Sequence, residues 1–122
     1  EKHFSSISFL QGDLTAPLGE RKLAALLANP PYIPDKDIES LAPEVKNYDP
    51  HIALAGGVDG LNFYRRLVTE GTKNLLPGGF MAFEVGAGQA ETVAALAAKT
   101  GFFSETEIVP DYAGLARVVV MR

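Results

Sequence analysis

The chain has 122 residues, of which 47% are hydrophobic and 21% are charged, and its formal net charge at pH 7 is −4. This balance fits one globular domain, and the absence of cysteine excludes disulfide scaffolds and thiolate metal sites. The acidic charge, with no cluster of Lys or Arg, disfavours nucleic acid as a direct partner.

The first part of the chain predicts two short strands. Residues 6–10 predict the first strand, and the loop Gln11-Gly12-Asp13-Leu14 follows it. Residues 23–28 form a continuous apolar run that is too short for a helix and suits a buried parallel strand. The run stops at Asn29-Pro30-Pro31-Tyr32, and residues 33–58 predict a long functional loop.

Helices and strands alternate in the second half of the chain. A helix is predicted from Gly60 to about residue 75, with Asp59 as its N-cap and Pro77-Gly78-Gly79 as its stop. Residues 80–85 predict a strand, residues 91–99 a helix closed by Gly101, and residues 105–109 and 117–121 two further strands. The alternation predicts an α/β domain with a mostly parallel sheet, in which ligands bind beyond the carboxyl ends of the strands.

Asn29-Pro30-Pro31-Tyr32 lies at such a strand end and suits methyl transfer to a planar NH₂ group. The lone pair of an amide nitrogen is delocalised, so a site must orient the nitrogen and accept its hydrogens. The Asn29 side-chain oxygen can accept one hydrogen and the Pro30 carbonyl the other, from a backbone stiffened by Pro30 and Pro31. Tyr32 can stack on the flat group. The alternative is a proline-rich turn that only ends a strand.

The residues around this tetrapeptide resemble the HemK/PrmC family of release factor glutamine methyltransferases. The matching residues are Asn29-Pro30-Pro31-Tyr32-Ile33-Pro34, Glu44-Val45, Asp49-Pro50, Ala53-Leu54, Gly56-Gly57-Val58-Asp59-Gly60-Leu61, Tyr64-Arg65, Phe83-Glu84-Val85-Gly86, Gln89, Val93, Asp111, Gly114 and Arg117. The Gly-Gly-x-Asp-Gly-Leu block is the more specific part, because amino methylases of adenine and guanine share the tetrapeptide. Asp49-Pro50 departs from the Glu-Pro that is usual in the family.

The resemblance implies a Rossmann-like class I methyltransferase sheet with an antiparallel C-terminal strand, and S-adenosylmethionine as cofactor. The implied reaction methylates the side-chain amide nitrogen of the glutamine in the Gly-Gly-Gln motif of peptide chain release factors. Asn29 and Pro30 would hold this amide, and Tyr32 would pack against it. Asp13 would approach the adenine of the cofactor, and Asn29 would also adjoin the cofactor.

The resemblance further implies that residues 1–122 are the C-terminal portion of the methyltransferase domain. The Gly-rich cofactor loop and an N-terminal helical domain would precede residue 1, so the chain alone is expected to be inactive. The strand at residues 23–28 would then be an exposed apolar edge, and self-association through this edge is a hypothesis.

Two other functions stay open. A nucleic-acid amino methyltransferase would share the tetrapeptide but would not explain the Gly-Gly-x-Asp-Gly-Leu block. The second alternative is a folded, inactive fragment that only self-associates. The segment Gly86-Ala87-Gly88 imitates a cofactor loop, but Glu91 stands where the third glycine would be, so we interpret it as a turn.

The remaining polar signals predict structural roles. Arg65 and Arg66 are interpreted as a solvated helix face, and Asp111 and Arg117 as a pair across the final hairpin. Glu84, in an apolar strand, is expected to need hydrogen-bond partners. His3 and His51 have no partners at metal spacing, so no metal site is expected. No apolar run reaches the ~20 residues that span a bilayer, and a cytoplasmic protein without a membrane partner is expected.

Overall fold

Four strands form one mixed sheet in the computed structural model, which describes residues 6–41 and 54–122. They are β1 (Leu23–Ala28), β2 (Leu75–Glu84), β3 (Thr106–Pro110) and β4 (Ala116–Met121), in the spatial order β1-β2-β4-β3. β1 is parallel to β2, and β4 is antiparallel to both of its neighbours. Three strands therefore run in one direction and only the last is reversed, which confirms the predicted α/β class with an antiparallel C-terminal strand.

Within the described part of the chain, the α-helices at residues 62–70 and 90–99 cover one face of this sheet. They are α1 (Asn62–Glu70) and α2 (Ala90–Lys99). Side chains point alternately to the two faces of a strand, and Met81 and Phe83 of β2 point to the same face as Val119 and Met121 of β4. Fully buried side chains from both layers make the core: Tyr64, Val68, Met81, Phe83, Val85, Val93, Val119 and Met121. The helix predicted at residues 91–99 is confirmed, and Gly101 follows its end with φ +69°.

The first helix ends earlier than predicted. After Glu70 a 3₁₀ turn covers Gly71–Asn74, and β2 begins at Leu75, so the prediction of Pro77-Gly78-Gly79 as a helix stop is wrong. Leu23 pairs with Leu75 and Ala25 with Phe80, which leaves the residues between Leu75 and Phe80 as an irregularity in β2. Gly78 allows this because its φ of +81° lies in the left-handed region.

The strand predicted at residues 6–10 is wrong, because the structure places no strand there. A strand needs a neighbour to pair its backbone groups, and Phe9 is 94% exposed. The order of the sheet leaves β1 as an edge strand whose only partner among the described residues is β2. Every residue of β1 is half-buried or exposed, so the prediction of a buried strand at residues 23–28 is wrong. Leu27 is 70% exposed, which confirms the prediction of an exposed apolar edge.

The hairpin between β3 and β4 is closed by the predicted pair. The Arg117 guanidinium lies 3.3 Å from the Asp111 carboxylate, which also accepts hydrogen bonds from the backbone N–H groups of Ala113 and Leu115. These bonds, with that to Leu115 first, hold the pKa of Asp111 below its usual range. The prediction for these two residues is confirmed, and they turn the chain into the reversed strand.

Candidate amide-binding site

The Asn-Pro-Pro-Tyr segment leaves the sheet at the carboxyl end of β1. The Asn29 side chain is exposed, Pro30 is buried, and Pro31 and Tyr32 are half-buried. Pro30 can be buried here without leaving an unpaired donor, because proline has no N–H. Within residues 6–41 and 54–122 the Asn29 amide makes no hydrogen bond, so its donor and acceptor face outward and are available to a ligand.

A cavity of about 270 Å³ opens beside Asn29. It is lined by Leu14, Thr15, Leu26, Leu27, Ala28, Asn29, Pro30, Pro31 and Leu67. The wall is apolar except for Asn29 and Thr15. Leu14 has a φ of +53°, which is uncommon for a residue with a side chain and shows that this loop is held in place by its surroundings. The loop that contains Asp13 therefore borders the same cavity as Asn29.

Asp13 itself faces the first helix. Its carboxylate accepts two hydrogen bonds from the Arg66 guanidinium, at 3.0 and 2.8 Å, and Arg66 also donates to Glu70 at 2.8 Å. The hydrogen bond from Arg66 lowers the pKa of Asp13. The prediction of a merely solvated face is wrong for Arg66, because its side chain is only 37% exposed and joins the Asp13 loop to α1.

The Gly-Gly-x-Asp-Gly-Leu block packs directly on the segment that follows the tetrapeptide. Ile33 and Gly56 are joined by a backbone hydrogen bond of 2.8 Å, and the Asp35 N–H donates to the Gly57 carbonyl at 2.8 Å. A Cβ atom on Gly56 would lie 2.8 Å from the Pro31 carbonyl oxygen, and one on Gly60 would collide with the Tyr32 carbonyl oxygen. Glycine is required at these positions because two backbones approach each other closely.

Asp59 organises the start of the first helix, although the N-cap itself is Leu61 rather than the predicted Asp59. The Asp59 Oδ1 accepts a 3.0 Å hydrogen bond from the Leu61 N–H, and the carboxylate pairs with Arg65. The hydrogen bond from Arg65, followed by that from Leu61, lowers the pKa of Asp59. Arg65 is therefore paired with this turn instead of being only solvated.

Gln89, just before α2, links two loops at the site. Its Nε2 donates to the Tyr32 carbonyl at 2.9 Å, and its Oε1 accepts from the Gly86 N–H at 2.9 Å. A Cβ atom on Gly86 would lie 2.5 Å from Cδ2 of Tyr32, so the turn after β2 lies against the tyrosine ring. Sequence reasoning did not assign Gln89 to the site. The available signal was a polar residue immediately after a Gly-x-Gly turn.

Several curated proteins that share one name match this chain over almost its whole length. It is 44% identical over 119 residues to a release factor glutamine methyltransferase of Geobacter sulfurreducens, covering 98% of this chain and 42% of that protein. It is 42% identical over 120 residues to that of Thermodesulfovibrio yellowstonii, covering 98% of this chain and 43% of that protein. By sequence, the chain is similar to release factor glutamine methyltransferases over almost its whole length. The chain spans about two fifths of the length of these curated relatives.

A solved release factor-specific methyltransferase has a similar fold. The crystal structure of protein-(glutamine-N5) methyltransferase (release factor-specific) from Alicyclobacillus acidocaldarius superposes with a TM-score of 0.55 at 31% identity. The match covers 88% of this chain and 52% of that one. It supports the predicted partial methyltransferase sheet. No protein-family model matches the chain.

Tyr64 of α1 connects the helix layer to the end of β2. Tyr64 is fully buried, and its hydroxyl donates a 2.7 Å hydrogen bond to the backbone carbonyl of Glu84. Burial, followed by the nearby Tyr32 and Glu84, raises the pKa of Tyr64. The Glu84 side chain is exposed, contrary to the expectation of a carboxylate inside a buried strand, because it points away from the helix layer.

Several predictions fall outside the described residues. His3, Glu44-Val45, Asp49-Pro50, His51 and Ala53 belong to this group, as do residues 42–53 of the loop predicted at residues 33–58. In the described part of the chain, no cluster of three or more His, Cys, Asp or Glu side chains could hold a metal ion. None of the helices within residues 6–41 and 54–122 has the length and apolar character needed to cross a membrane.

Proposed function

We propose that the protein to which this chain belongs is an S-adenosylmethionine-dependent protein-glutamine methyltransferase. Its substrate is the side-chain amide nitrogen of the glutamine in the Gly-Gly-Gln motif of peptide chain release factors. The observation that carries the proposal is the exposed Asn29 amide, which bonds none of the described residues, beside the buried Pro30 at the carboxyl end of β1. The family of the relatives supplies the identity of the substrate.

The residues of the tetrapeptide match the needs of a carboxamide nucleophile. The Asn29 Oδ1 accepts one hydrogen of the substrate NH₂ group, and the Pro30 carbonyl accepts the second. These two bonds orient the nitrogen lone pair, which an amide otherwise shares with its carbonyl. Tyr32 stacks on the planar group. Because Asn29 is exposed, the proton that the nitrogen releases after methylation can pass to water, and the site needs no strong base.

The cavity beside Asn29 fits one end of the cofactor. Its largely apolar wall suits an uncharged group, and Asn29 and Thr15 add hydrogen-bonding atoms at its border. Asp13, on the adjoining loop, is the candidate for the adenine end, since each of its carboxylate oxygens can accept a second hydrogen bond beside the one from Arg66. When bound, S-adenosylmethionine supplies a methyl group made electrophilic by a sulfonium. In this proposal the chain is the C-terminal portion of the domain, and the Gly-rich loop belongs to preceding sequence.

The decisive experiment replaces Asn29 by alanine in the full-length protein. Loss of one preorganised hydrogen-bonding group in a site costs about 100- to 1,000-fold in kcat. We expect a fall of this size in methyl transfer to a release factor, measured by mass spectrometry of the Gly-Gly-Gln peptide. The melting temperature should not change, because Asn29 is exposed.

Thr92→Ala is the matched control, since Thr92 is exposed on α2 and takes no part in the site. It should retain wild-type kcat. Full activity of Asn29→Ala would contradict the role of Asn29. Methylation of adenine or guanine in nucleic acid, with an unmodified release factor, would contradict the substrate.

We also propose that the 122-residue chain in isolation self-associates. The edge of β1 that no described residue pairs supports this. A strand edge of this kind, with an exposed apolar side chain such as Leu27, is a template for pairing with another copy.

A further inference from the structure

Three separate segments of the chain meet at the Tyr32 backbone. The Tyr32 carbonyl accepts the hydrogen bond from Gln89 Nε2, and the same side chain accepts from the Gly86 N–H. On the other side, a Cβ atom on Gly60 would lie 2.9 Å from Gln89 Nε2 and would collide with the Tyr32 carbonyl oxygen. The carbonyl of Tyr32 is therefore enclosed by the turn after β2 and by the Gly-Gly-x-Asp-Gly-Leu block.

We propose that Gln89 is a positioning residue for the amide-binding site. It fixes the peptide of Tyr32, and through it the Pro30 carbonyl and the Asn29 side chain. The inference rests on the proposed function, since it assigns Gln89 to the site that holds the substrate amide. Gln89 itself does not contact the substrate; it acts through Tyr32.

The proline pair is the link between Gln89 and the substrate-binding atoms. Pro30 and Pro31 have φ angles locked by their rings, so the segment from Asn29 to Tyr32 has few torsions that can absorb a displacement. A shift of the Tyr32 peptide is transmitted to the Pro30 carbonyl instead of being absorbed between them. An anchor at Tyr32 therefore controls the position of the hydrogen-bond acceptors two and three residues earlier.

A glutamine suits this anchor because it carries a donor and an acceptor on one planar group. Both are used, and both bonds are partly buried, so loss of either partner leaves a polar backbone atom unsatisfied. A glutamate of the same shape would keep the acceptor for the Gly86 N–H. It would place a carboxylate oxygen against the Tyr32 carbonyl, with no hydrogen to share.

The two hydrogen bonds of Gln89, to the Tyr32 carbonyl and from the Gly86 N–H, can be separated by mutation of the full-length protein. Gln89→Glu removes only the bond to Tyr32, whereas Gln89→Leu removes both. We expect both variants to lower kcat for a release factor about 10- to 100-fold, since misplacement of reacting groups by about 1 Å costs as much as 100-fold. KM for S-adenosylmethionine should stay within about twofold of wild type, because Gln89 lies outside the cavity beside Asn29.

Thr92→Glu is the matched control. It introduces the same negative charge in the first turn of α2 at an exposed position, and it should leave kcat and the melting temperature unchanged. A purely structural role of Gln89 would appear differently. It would lower the melting temperature of Gln89→Glu and Gln89→Leu, while the folded fraction kept wild-type kcat, and this result would overturn the inference.

Hydrogen exchange provides a readout that does not depend on activity. The Ile33 N–H bonds to the Leu54 carbonyl and the Asp35 N–H to the Gly57 carbonyl, so both report on the segment that Gln89 anchors. Release of the anchor in Gln89→Glu should speed exchange at Ile33 and Asp35 about tenfold, with no change in β4. Unchanged exchange would overturn the inference. Absence of methyl transfer by the wild-type protein would reject the proposed function alone, and exchange would still decide the role of Gln89.

Discussion

Replacement of Gly86 by alanine tests whether the turn after β2 sets the position of Tyr32. The added Cβ would lie 2.5 and 2.7 Å from Cδ2 and Cε2 of the Tyr32 ring, and 2.9 Å from Gln89 Oε1. Carbon atoms in ordinary contact are about 3.5–4.0 Å apart, so the ring must retreat by about 1 Å. The φ of Gly86 is not positive, and the backbone accepts alanine without strain. The effect therefore comes from the contacts with the Tyr32 ring and with Gln89, which itself bonds the Tyr32 carbonyl.

A displacement of about 1 Å at a residue of the site predicts a fall in kcat of about 100-fold. The crowding itself should cost about 1–3 kcal/mol of unfolding free energy. The assay is single-turnover transfer of a labelled methyl group from S-adenosylmethionine to a release factor by the full-length protein. Urea unfolding of the same samples gives the free energy of unfolding.

Gly88→Ala in the same turn separates strain from contact. Gly88 has a φ of +78°, and an added Cβ would meet no atom within 4 Å. We expect a loss of about 1–2 kcal/mol in stability from the left-handed backbone, with wild-type kcat. The reasoning is refuted if Gly86→Ala keeps wild-type kcat, or if Gly88→Ala loses as much activity as Gly86→Ala.

Two further predictions concern the core and the sheet edge. Tyr64→Phe leaves the Glu84 carbonyl without its donor and should lower the unfolding free energy by about 1–2 kcal/mol in urea titrations. Because the pKa of Tyr64 is raised above its ordinary value of 10.0, the contribution of Tyr64 to stability is complete below pH 10 and declines as the pH rises beyond it. This decline should be absent in Tyr64→Phe. An identical dependence of stability on alkaline pH in the two proteins would contradict the assignment. The isolated 122-residue chain should sediment as a concentration-dependent oligomer, and Leu27→Lys should shift it towards the monomer, because lysine on an edge strand opposes pairing. A folded wild-type monomer at all concentrations would exclude association through β1.

Local sequence signals were sufficient for the amide-binding segment. The apolar run at residues 23–28 predicts β1 because six apolar residues in succession suit a strand within a parallel sheet. The two prolines end that strand through their own fixed φ angles and missing N–H groups, whatever surrounds them. Asn29 and Tyr32 are therefore placed at a strand end by interactions within a few residues of the chain.

The contacts that hold the site are different, since they join residues far apart in the sequence. Gln89 is 57 residues from Tyr32, and Arg66 is 53 residues from Asp13. The Gly-x-Gly turn before Gln89 marks a candidate position, but no local pattern shows which distant atoms Gln89 or Arg66 bonds. The tertiary structure decides both contacts. The order of the strands brings the end of β2, and with it Gln89, beside the end of β1. The position of α1 beside the loop before β1 brings Arg66 to Asp13.

The errors have the same physical origin. Residues 6–10 carry a strand-like pattern, but a strand forms only where a neighbour pairs its backbone, and the described structure offers none at that position. Pro77-Gly78-Gly79 looks like a helix stop, yet pairing of Leu75 with Leu23 draws the segment into β2 as an irregularity. By itself the sequence determined the elements that depend on side-chain period and proline geometry. The tertiary structure decided which strands pair, which side chains are buried and which contacts hold the site. The energy of these interactions comes from partners that are distant in the sequence.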